Sequence, residues 1–406
     1  MKSVGIIVEY NPFHNGHAYH LQQAKKKTNA DIVIAVMSGY FLQRGEPALA
    51  SKWTRAEMAL AGGADLVVEL PYAFATQKAE VFANGAVSLL KALHTDAICF
   101  GSEEGDIDAF HELLSFHQAN EELLDAEINQ EMKKGLSYPK AASNAFQKIK
   151  HKGLLDLSLP NNILGFHYVK AIKEQQAPIE ALTVRRTKSG YHDQTPASPT
   201  IASATSIRNE INSKRSIQTI QQFVPDSSLL LLKKEFDTFG KLISWEDLFP
   251  FLKYRLLTST PGELQTIYEI EEGIENRFMQ YIKEAESFKG FIQKVKTKRF
   301  TWTRLQRMCT HMLTNAKKEE MQKALTSKKA TYIRLLAMSK KGQYYLSKKK
   351  KNIGLPIISK YSKQYSTLLR LDDVAASVYA MAYDQSKREK LIKSEYSTPP
   401  MKEAGI

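Results

Sequence analysis

Along the first half of the chain the apolar positions fall in short unbroken runs: residues 4–8 (VGIIV), 31–37 (DIVIAVM), 64–70 (ADLVVEL), 96–100 (DAICF) and 179–184 (IEALTV). Runs of that length without strict alternation belong to strands covered on both faces. Between them, residues 16–26, 53–61, 77–93 and 163–173 carry helical spacing. Gly62-Gly63 ends one of these helices, Pro71 stops the third strand, and Asn161 or Asn162 can cap the helix that follows. The strand–helix alternation predicts an α/β fold, a parallel sheet with helices on both faces and right-handed crossovers. Residues 106–152 read as an acid-rich, largely helical excursion, and from residue 211 to 281 the periodicity is helical throughout. The expected organisation is therefore a sheet domain over residues 1–215 and a mostly α-helical domain over 216–406.

In parallel sheets of this kind ligands bind beyond the carboxyl ends of the strands. Those ends are residues 9–17, 38–44, 71–72 and 101–103. The first is the richest. Its turn contains Asn11-Pro12, a turn-initiating pair, and delivers His14 and His17 to a helix start, where unpaired backbone N–H groups and the helix dipole favour an anion. His14-Asn15-Gly16-His17 resembles the HxGH signature of adenylyl-transferring enzymes, whose Rossmann-like fold is shared with class I aminoacyl-tRNA synthetases. Residues 201–208 (IASATSIR) resemble the second signature of that superfamily, ISSTxIR. Ser203 and Thr205 can cap the helix beginning there, while Arg208 sits one turn in, a place the dipole disfavours for a cation unless an anion is near. Ala202 stands where the family has its first serine. Arg185-Arg186-Thr187-Lys188 follows the fifth strand, where it can be a solvated edge or a phosphate contact, and residues 189–199 have a loop composition.

Charge changes the picture for the second half. The whole chain carries +14, but residues 289–370 hold 22 Lys and Arg against Glu319 and Glu320, so this segment is +20 and the remainder −6. Such asymmetry points to a polyanion bound by one region and chemistry done by another. Lys298, Arg299, Trp302, Arg304 and Arg307, with Arg304, Arg307 and His311 on one helix face, form one basic cluster; Lys348, Lys349, Lys350 and Lys351, preceded by Tyr344-Tyr345, form a second. Cations interleaved with aromatics suit RNA, whose phosphates need neutralising and whose unpaired bases stack on rings. Cys99 and Cys309 make neither a disulfide framework nor a metal-ligand spacing. No apolar run approaches the roughly 20 residues of a membrane helix, and Met1-Lys2 leads directly into the first strand, so a cytoplasmic protein with no membrane partner is expected.

Six blocks in this order, GIIVEYNPFHNGHAYHL, SGYFLQRGEPA, KWTRAEMALAGGADLVVELP, FGSE, PNNILGFHYVKAI and KRFTWTRLQR, resemble the bacterial tRNA(Met) cytidine acetate ligases over nearly the whole chain. The resemblance implies an enzyme that uses ATP, with Mg2+, and acetate to acetylate the exocyclic amine of the wobble cytidine of elongator tRNA(Met). It implies an ATP site at Ile7, Val8, Glu9, Tyr10, Asn11, Pro12, Phe13, His14, Asn15, Gly16, His17, Ala18, Tyr19, His20, Gly101, Asn162, Arg186 and Thr205. His14, His17 and Arg208 would carry catalysis, with no protein metal site. Lys188 departs from the family pattern before Tyr191-His192-Asp193 and leaves Arg185 open beside Arg186. Acetate is ionised at neutral pH and needs charge relief at the α-phosphate rather than a base. Two other readings share the HxGH turn: a small-molecule adenylyltransferase, which leaves the basic region unused, and an RNA-binding protein with a regulatory nucleotide site.

Overall fold

The computed structural model describes residues 1–136, 138–149, 155–186, 200–214 and 216–403. Leu154, the 189–199 loop, Thr187, Lys188 and Tyr191-His192-Asp193 lie outside the described residues. The first half runs β1 (Ser3–Val8), α1 (Asn15–Thr28), β2 (Ile32–Ser38), α2 (Lys52–Ala61), β3 (Leu66–Leu70), α3 (Tyr72–Ala75), α4 (Ala79–Ala92) and β4 (Ala97–Ser102). The excursion is three helices, α5 (Ile107–Ala119), α6 (Glu121–Lys133) and α7 (Tyr138–Ile149), before α8 (Pro160–Glu174), β5 (Glu180–Arg185) and α9 (Ala204–Lys214). The second half contains α10 (Asp226–Phe239), α11 (Trp245–Thr258), α12 (Pro261–Gln265), α13 (Ile274–Ile282), α14 (Phe288–Val295), α15 (Trp302–Leu313) and α16 (Lys318–Leu325). After these come β6 (Ile333–Met338), α17 (Lys340–Lys349), β7 (Ile357–Ile358), α18 (Arg370–Ala380), α19 (Gln385–Ser397) and β8 (Met401–Lys402).

The five expected strands form a parallel sheet in the order β5-β4-β1-β2-β3. Alternate residues of β2 enter opposite cores: Ile32, Ile34 and Val36 pack with α4, α8 and the C-terminal helices, and Val33, Ala35 and Met37 with α1, α2, α9 and α10. Burial on both faces is why these strands read as continuous apolar runs. The strand order reverses between β1 and β4, which opens a crevice at their carboxyl ends.

The sheet does not end with the first half. β6 pairs antiparallel with β3, and β7 and β8 pair with β6, so the last third of the chain completes the sheet. Residues 333–338 (IRLLAM) were hidden by their position in the most basic stretch of the chain. Arg334 within them is 3% exposed, donates to the Glu395 carbonyl oxygen at 3.0 Å and lies over the Trp53 ring. Two other expectations change. Gly101-Ser102 closes β4 rather than opening the loop. Neither Asn161 nor Asn162 is the N-cap of α8, which starts at Pro160 after Leu159; the Glu103 carboxylate takes over, accepting from the backbone N–H of Asn161 at 3.3 Å and of Asn162 at 2.8 Å.

A buried polar knot joins the halves. Lys52, 1% exposed, pairs with Glu69 at 2.8 Å and Glu395 at 2.6 Å; Glu395 also accepts from Trp53 Nε1 at 2.8 Å and from the Tyr40 hydroxyl. Removing one member of a buried pair strands the others without solvent. Glu395→Ala is therefore expected to lower unfolding free energy by about 3 kcal/mol or more, read from urea denaturation; a loss under about 1 kcal/mol would mean that water replaces the carboxylate.

Candidate active site

The crevice is built where β1, β4, β5 and two helix N-termini meet. Its walls include Ile7, Val8, Glu9, Tyr10, Asn11, His14, Gly16, His17, Tyr19, His20, Gly101, Arg186, Thr205 and Arg208, so the two sequence signatures converge on one cleft. The turn after β1 has Tyr10 at φ 50° and a cis Asn11–Pro12 bond, and Asn11 Oδ1 accepts from Leu49 N at 2.6 Å. His14 occupies the N-cap position of α1, and its backbone N–H donates to His17 Nδ1 at 3.3 Å. The two imidazoles stack with centroids 3.7 Å apart. A Cβ on Gly16 would lie 2.9 Å from His14 Cε1, so glycine at this position is what lets the His14 ring fold back over the helix start.

Burial decides the charge state of these rings. His14 is pushed down to about 3 by desolvation, then by the Arg186 and Arg208 guanidiniums; His20 is pushed down to about 4 by desolvation and Arg186; His17 lies well below its ordinary value by desolvation, then by His14, Arg186 and His20. All three are neutral near pH 7, and His14 Nδ1 and His20 Nε2 are buried without a hydrogen-bond partner among the described residues, leaving the positive charge of the cleft to its arginines. Arg208 donates to the Asn11 carbonyl oxygen at 2.9 Å and pairs with Glu46 at 2.7 Å, so the anion near this cation is, in the protein by itself, a carboxylate. Ser203 caps α9, its Oγ accepting from Ser206 N at 3.0 Å, while Thr205 lies inside the first turn with Oγ1 3.4 Å from Arg208. Arg186 reaches over Gly101, whose Cβ would be 3.4 Å from the Arg186 side chain.

Five expected nucleotide residues are not on the cleft wall. Pro12 and Ala18 support the turn and helix, Phe13 packs edge-on to Tyr10 at 4.7 Å, and Asn15 Nδ2 donates to the Thr200 and Gln222 carbonyl oxygens at 3.0 Å. Asn162 Oδ1 accepts from the Glu103 and Glu104 N–H groups at 3.1 Å and so fixes the turn beyond Gly101; its neighbour Asn161 faces the cleft instead. The cleft wall also contains Gln43, Arg44, Glu46, Phe82, Phe100, Leu164 and Tyr168, beyond the residues expected there. Residues 38–44 were a strand-end loop on the ligand side, which was the available signal for Gln43 and Arg44; the aromatic wall had none, since its members read as core.

The two basic clusters lie at opposite ends of the sheet. α15 packs against the cleft loop: Gln306 Nε2 donates to the Arg44 carbonyl oxygen at 3.1 Å, Thr310 Oγ1 to that of Gly45 at 2.7 Å, and Gly45, at φ 77°, leaves no room for a Cβ beside the Arg307 backbone. Much of the charge of this basic cluster is neutralised within the chain, since Arg299 pairs with Glu272, Arg304 with Glu271 and Arg307 with Glu269. These acids precede the basic segment and fall outside the +20 count. Lys298 is exposed with no ion pair among the described residues, and Trp302 is half-buried with Nε1 on Gln306. His311 shares a face with Arg304 and Arg307, but is fully buried, with Nδ1 2.9 Å from the Tyr72 hydroxyl. Lys348 to Lys351 sit at the other end, where Tyr345 anchors α17 to the Leu93 and His94 carbonyl oxygens. Lys348 and Lys349 lie over the Tyr344 and Tyr345 rings.

The depressed histidines give a stability prediction. An unfolded histidine titrates near 6.5 and so binds more protons than its folded counterpart at lower pH, which makes stability fall as pH drops below about 6.5. The melting temperature of the nucleotide-free protein should therefore fall more steeply between pH 6.5 and 4 than that of His14→Asn. Parallel curves for the two proteins would show that His14 is charged in the fold.

Comparison with known proteins agrees with this geometry. Residues 1–394 match the model of the HIGH nucleotidyl transferase family. The tRNA(Met) cytidine acetate ligase of Halalkalibacterium halodurans is 51% identical over 99% of this chain and 97% of its own length, and that of Bacillus subtilis 48% identical over 99% and 97%. Among solved structures, Thermotoga maritima TmcAL without ligand superposes with a TM-score of 0.91 at 32% identity, and the same protein bound with alpha-thio ATP with 0.89, each covering 99% of both chains. With both signatures in one cleft at the sheet's switch point, and full-length similarity on either side of it, the chain belongs to the tRNA(Met) cytidine acetate ligase family of HIGH nucleotidyl transferases.

Proposed function

We propose that the protein is an ATP-dependent ligase that joins acetate to AMP and transfers the acetyl group to the exocyclic amine of the wobble cytidine of elongator tRNA(Met), releasing AMP and diphosphate. The observation that carries this reading is the convergence of His14, His17, Gly101, Arg186, Thr205 and Arg208 on one cleft roofed by two helix N-termini. Residues 1–215 supply that cleft, and residues 216–406 supply the RNA-facing surface. Among the described residues no helix is long and apolar enough to cross a membrane, in keeping with action in the cytoplasm.

In this mechanism the triphosphate lies across the N-termini of α1 and α9, and Arg208 exchanges Glu46 for a phosphate. Acetate attacks the α-phosphorus as the anion it already is, so no general base is required. Charge moves toward the departing diphosphate, and the neutral His14 and His17 can donate N–H bonds to it while Arg186 and Arg208 supply positive charge. Among the described residues no group of three metal-ligating side chains is placed to hold an ion, so Mg2+ would be held chiefly by phosphate oxygens and water and arrive with the nucleotide. The mixed anhydride that results is activated enough for a cytosine amine, whose lone pair is delocalised into the ring. The target base must leave its stack to reach it.

Labelled acetate plus ATP should label tRNA(Met) with release of AMP and diphosphate, and labelled acetyl-CoA alone should not. Label arriving only from acetyl-CoA would overturn the reading. Diphosphate release that ignores acetate would favour a small-molecule adenylyltransferase. His17→Ala should lower acetate-dependent ATP–diphosphate exchange by about 10² or more, the scale of one lost transition-state donor; exchange at the wild-type rate would remove His17 from the chemistry.

The ion pairs of α15 sharpen the RNA side. Neutralising Lys298 and Arg299 together should reduce the salt slope of tRNA binding by about one to two. Arg307→Ala, which removes a largely buried guanidinium paired with Glu269 where Arg299 is exposed, should change that slope less and the melting temperature more. The reverse ranking would place the RNA on the inner face of the helix.

A further inference from the structure

The cleft contains an acid that its first two substrates do not want. ATP and acetate are both anions, yet Glu9 stands at the carboxyl end of β1 on the wall of the same cleft. A carboxylate a few ångströms from a phosphate is repelled by it, and low dielectric makes the repulsion larger. The position of Glu9 is nevertheless held firmly. Its Oε1 accepts from Gln43 N at 2.8 Å, and its own carbonyl oxygen accepts from the fully buried Arg55 at 2.7 Å. Gln43 is held in turn through Nε2 on the Gln77 carbonyl oxygen at 2.5 Å, and the loop that carries it is fastened to α15 through Arg44 and Gly45. Oε2 makes no hydrogen bond among the described residues. The same cleft is lined by Phe82, Phe100, Leu164 and Tyr168, largely buried apolar side chains whose exposed edges give it an apolar wall where an unstacked base can be received.

We propose that Glu9 receives the exocyclic amine of the target cytosine and accepts the proton which that amine loses in acyl transfer. This rests on the ligase reading above and adds the residue that reads the third substrate. The amine is the one donor group among the reacting atoms, and a carboxylate accepting from cytosine N4 is a standard readout of that base. Uracil presents a carbonyl oxygen at the same place, which a carboxylate repels, so the same residue selects against uridine. In the transfer step the N4 lone pair forms a bond to the acetyl carbon. The bond from that carbon to the phosphate oxygen of AMP breaks, AMP leaving with the electron pair. One N4 proton passes to Glu9 Oε2 and then to water. Burial raises the Glu9 carboxyl above its ordinary value, bringing it nearer the range of a working base. The charged and titratable groups facing it are Arg44 and Glu46 on the loop, Arg208 on α9, Arg55 on α2 and Tyr168 on α8.

The test separates the two half-reactions. Wild type is first assayed for acetate-dependent ATP–diphosphate exchange and for transfer from synthetic acetyl-adenylate to tRNA(Met); absence of both would defeat the ligase reading before Glu9 is in question. With both present, Glu9→Gln is expected to lower single-turnover transfer from acetyl-adenylate by about 10² and exchange by at least tenfold less than that. It should also abolish the acid limb of the transfer pH profile, which Glu9→Asp retains at a lower rate. Competition with tRNA carrying uridine at the target position gives a second readout: wild type should prefer cytidine by about tenfold or more, and Glu9→Gln should not. Exchange and transfer falling together, an acid limb that persists in Glu9→Gln, or unchanged cytidine preference would each overturn the proposal. Thermal melts of both variants identify a loss due to misfolding, in which case Glu9→Asp alone carries the comparison of rates and pH limbs.

Discussion

The site depends on one buried guanidinium. Parallel strands that end side by side leave carbonyl oxygens at their tips with no ladder partner, and an active-site crevice cannot flood them all with water without losing its shape. Arg55 solves this from beneath. It is fully buried, and its nitrogens donate to the carbonyl oxygens of Glu9 at 2.7 Å, Ser38 at 3.0 Å, Ala50 at 3.1 Å and Gly39. One planar fork thus fixes where β1 and β2 release the chain, and with it the direction in which the histidine turn and the 39–46 loop enter the cleft. A lysine in this place would offer a point charge and three rotating donors, without the geometry that reaches four acceptors in fixed directions.

The C-terminal half is part of the same scaffold. α18 and α19 hold the ligand-side loops from outside: Tyr379 donates to the Ala48 carbonyl oxygen at 2.9 Å, Asp372 accepts from Tyr72 N at 2.9 Å and from the Tyr332 hydroxyl, and Glu395 binds Lys52, Trp53 and Tyr40. Burial raises Asp372 to about 7, with the negative charge of Glu69 adding to it. α15 closes the arrangement by gripping the backbone of Arg44 and Gly45. The loop that lines the cleft is therefore sandwiched between the sheet and the helices α15 and α18. A contact that shifts α15 has a short path, through two backbone carbonyl groups, to Gln43 and Glu9.

The parallel core was legible because strands buried on both faces leave long apolar runs, and the histidine turn was legible because glycine between two histidines has a steric reason. Less local features were hidden. β6 carries a buried arginine that donates to a carbonyl some sixty residues away and lies among lysines, so neither composition nor periodicity marks it. The capping of α8 by Glu103 needs a carboxylate from another strand end, which no window around Asn162 contains. Arg304 and Arg307 stand out as a basic cluster within residues 289–370 because the glutamates that pair with them precede that segment. In each case the deciding partner is distant in sequence, and the local rule failed for that reason.

Distance also explains why the positive charge is divided. β1 spans six residues, so the lysines by α17 and the cleft are about 20 Å apart along the strands. At physiological salt the Debye length is about 8 Å, which leaves Lys348 to Lys351 with little hold on a nucleotide in the crevice. Near the cleft much of the charge is offset: the imidazoles are neutral, Arg208 is met by Glu46, Arg299, Arg304 and Arg307 are met by Glu272, Glu271 and Glu269, and a half-buried Glu9 lines the wall. Such balance suits small anions that must bind, react and leave. Lys348 to Lys351 form no ion pair among the described residues and lie beyond the reach of a ligand confined to the cleft, so only a polyanion that spans both ends of the sheet would meet both sets of charge at once.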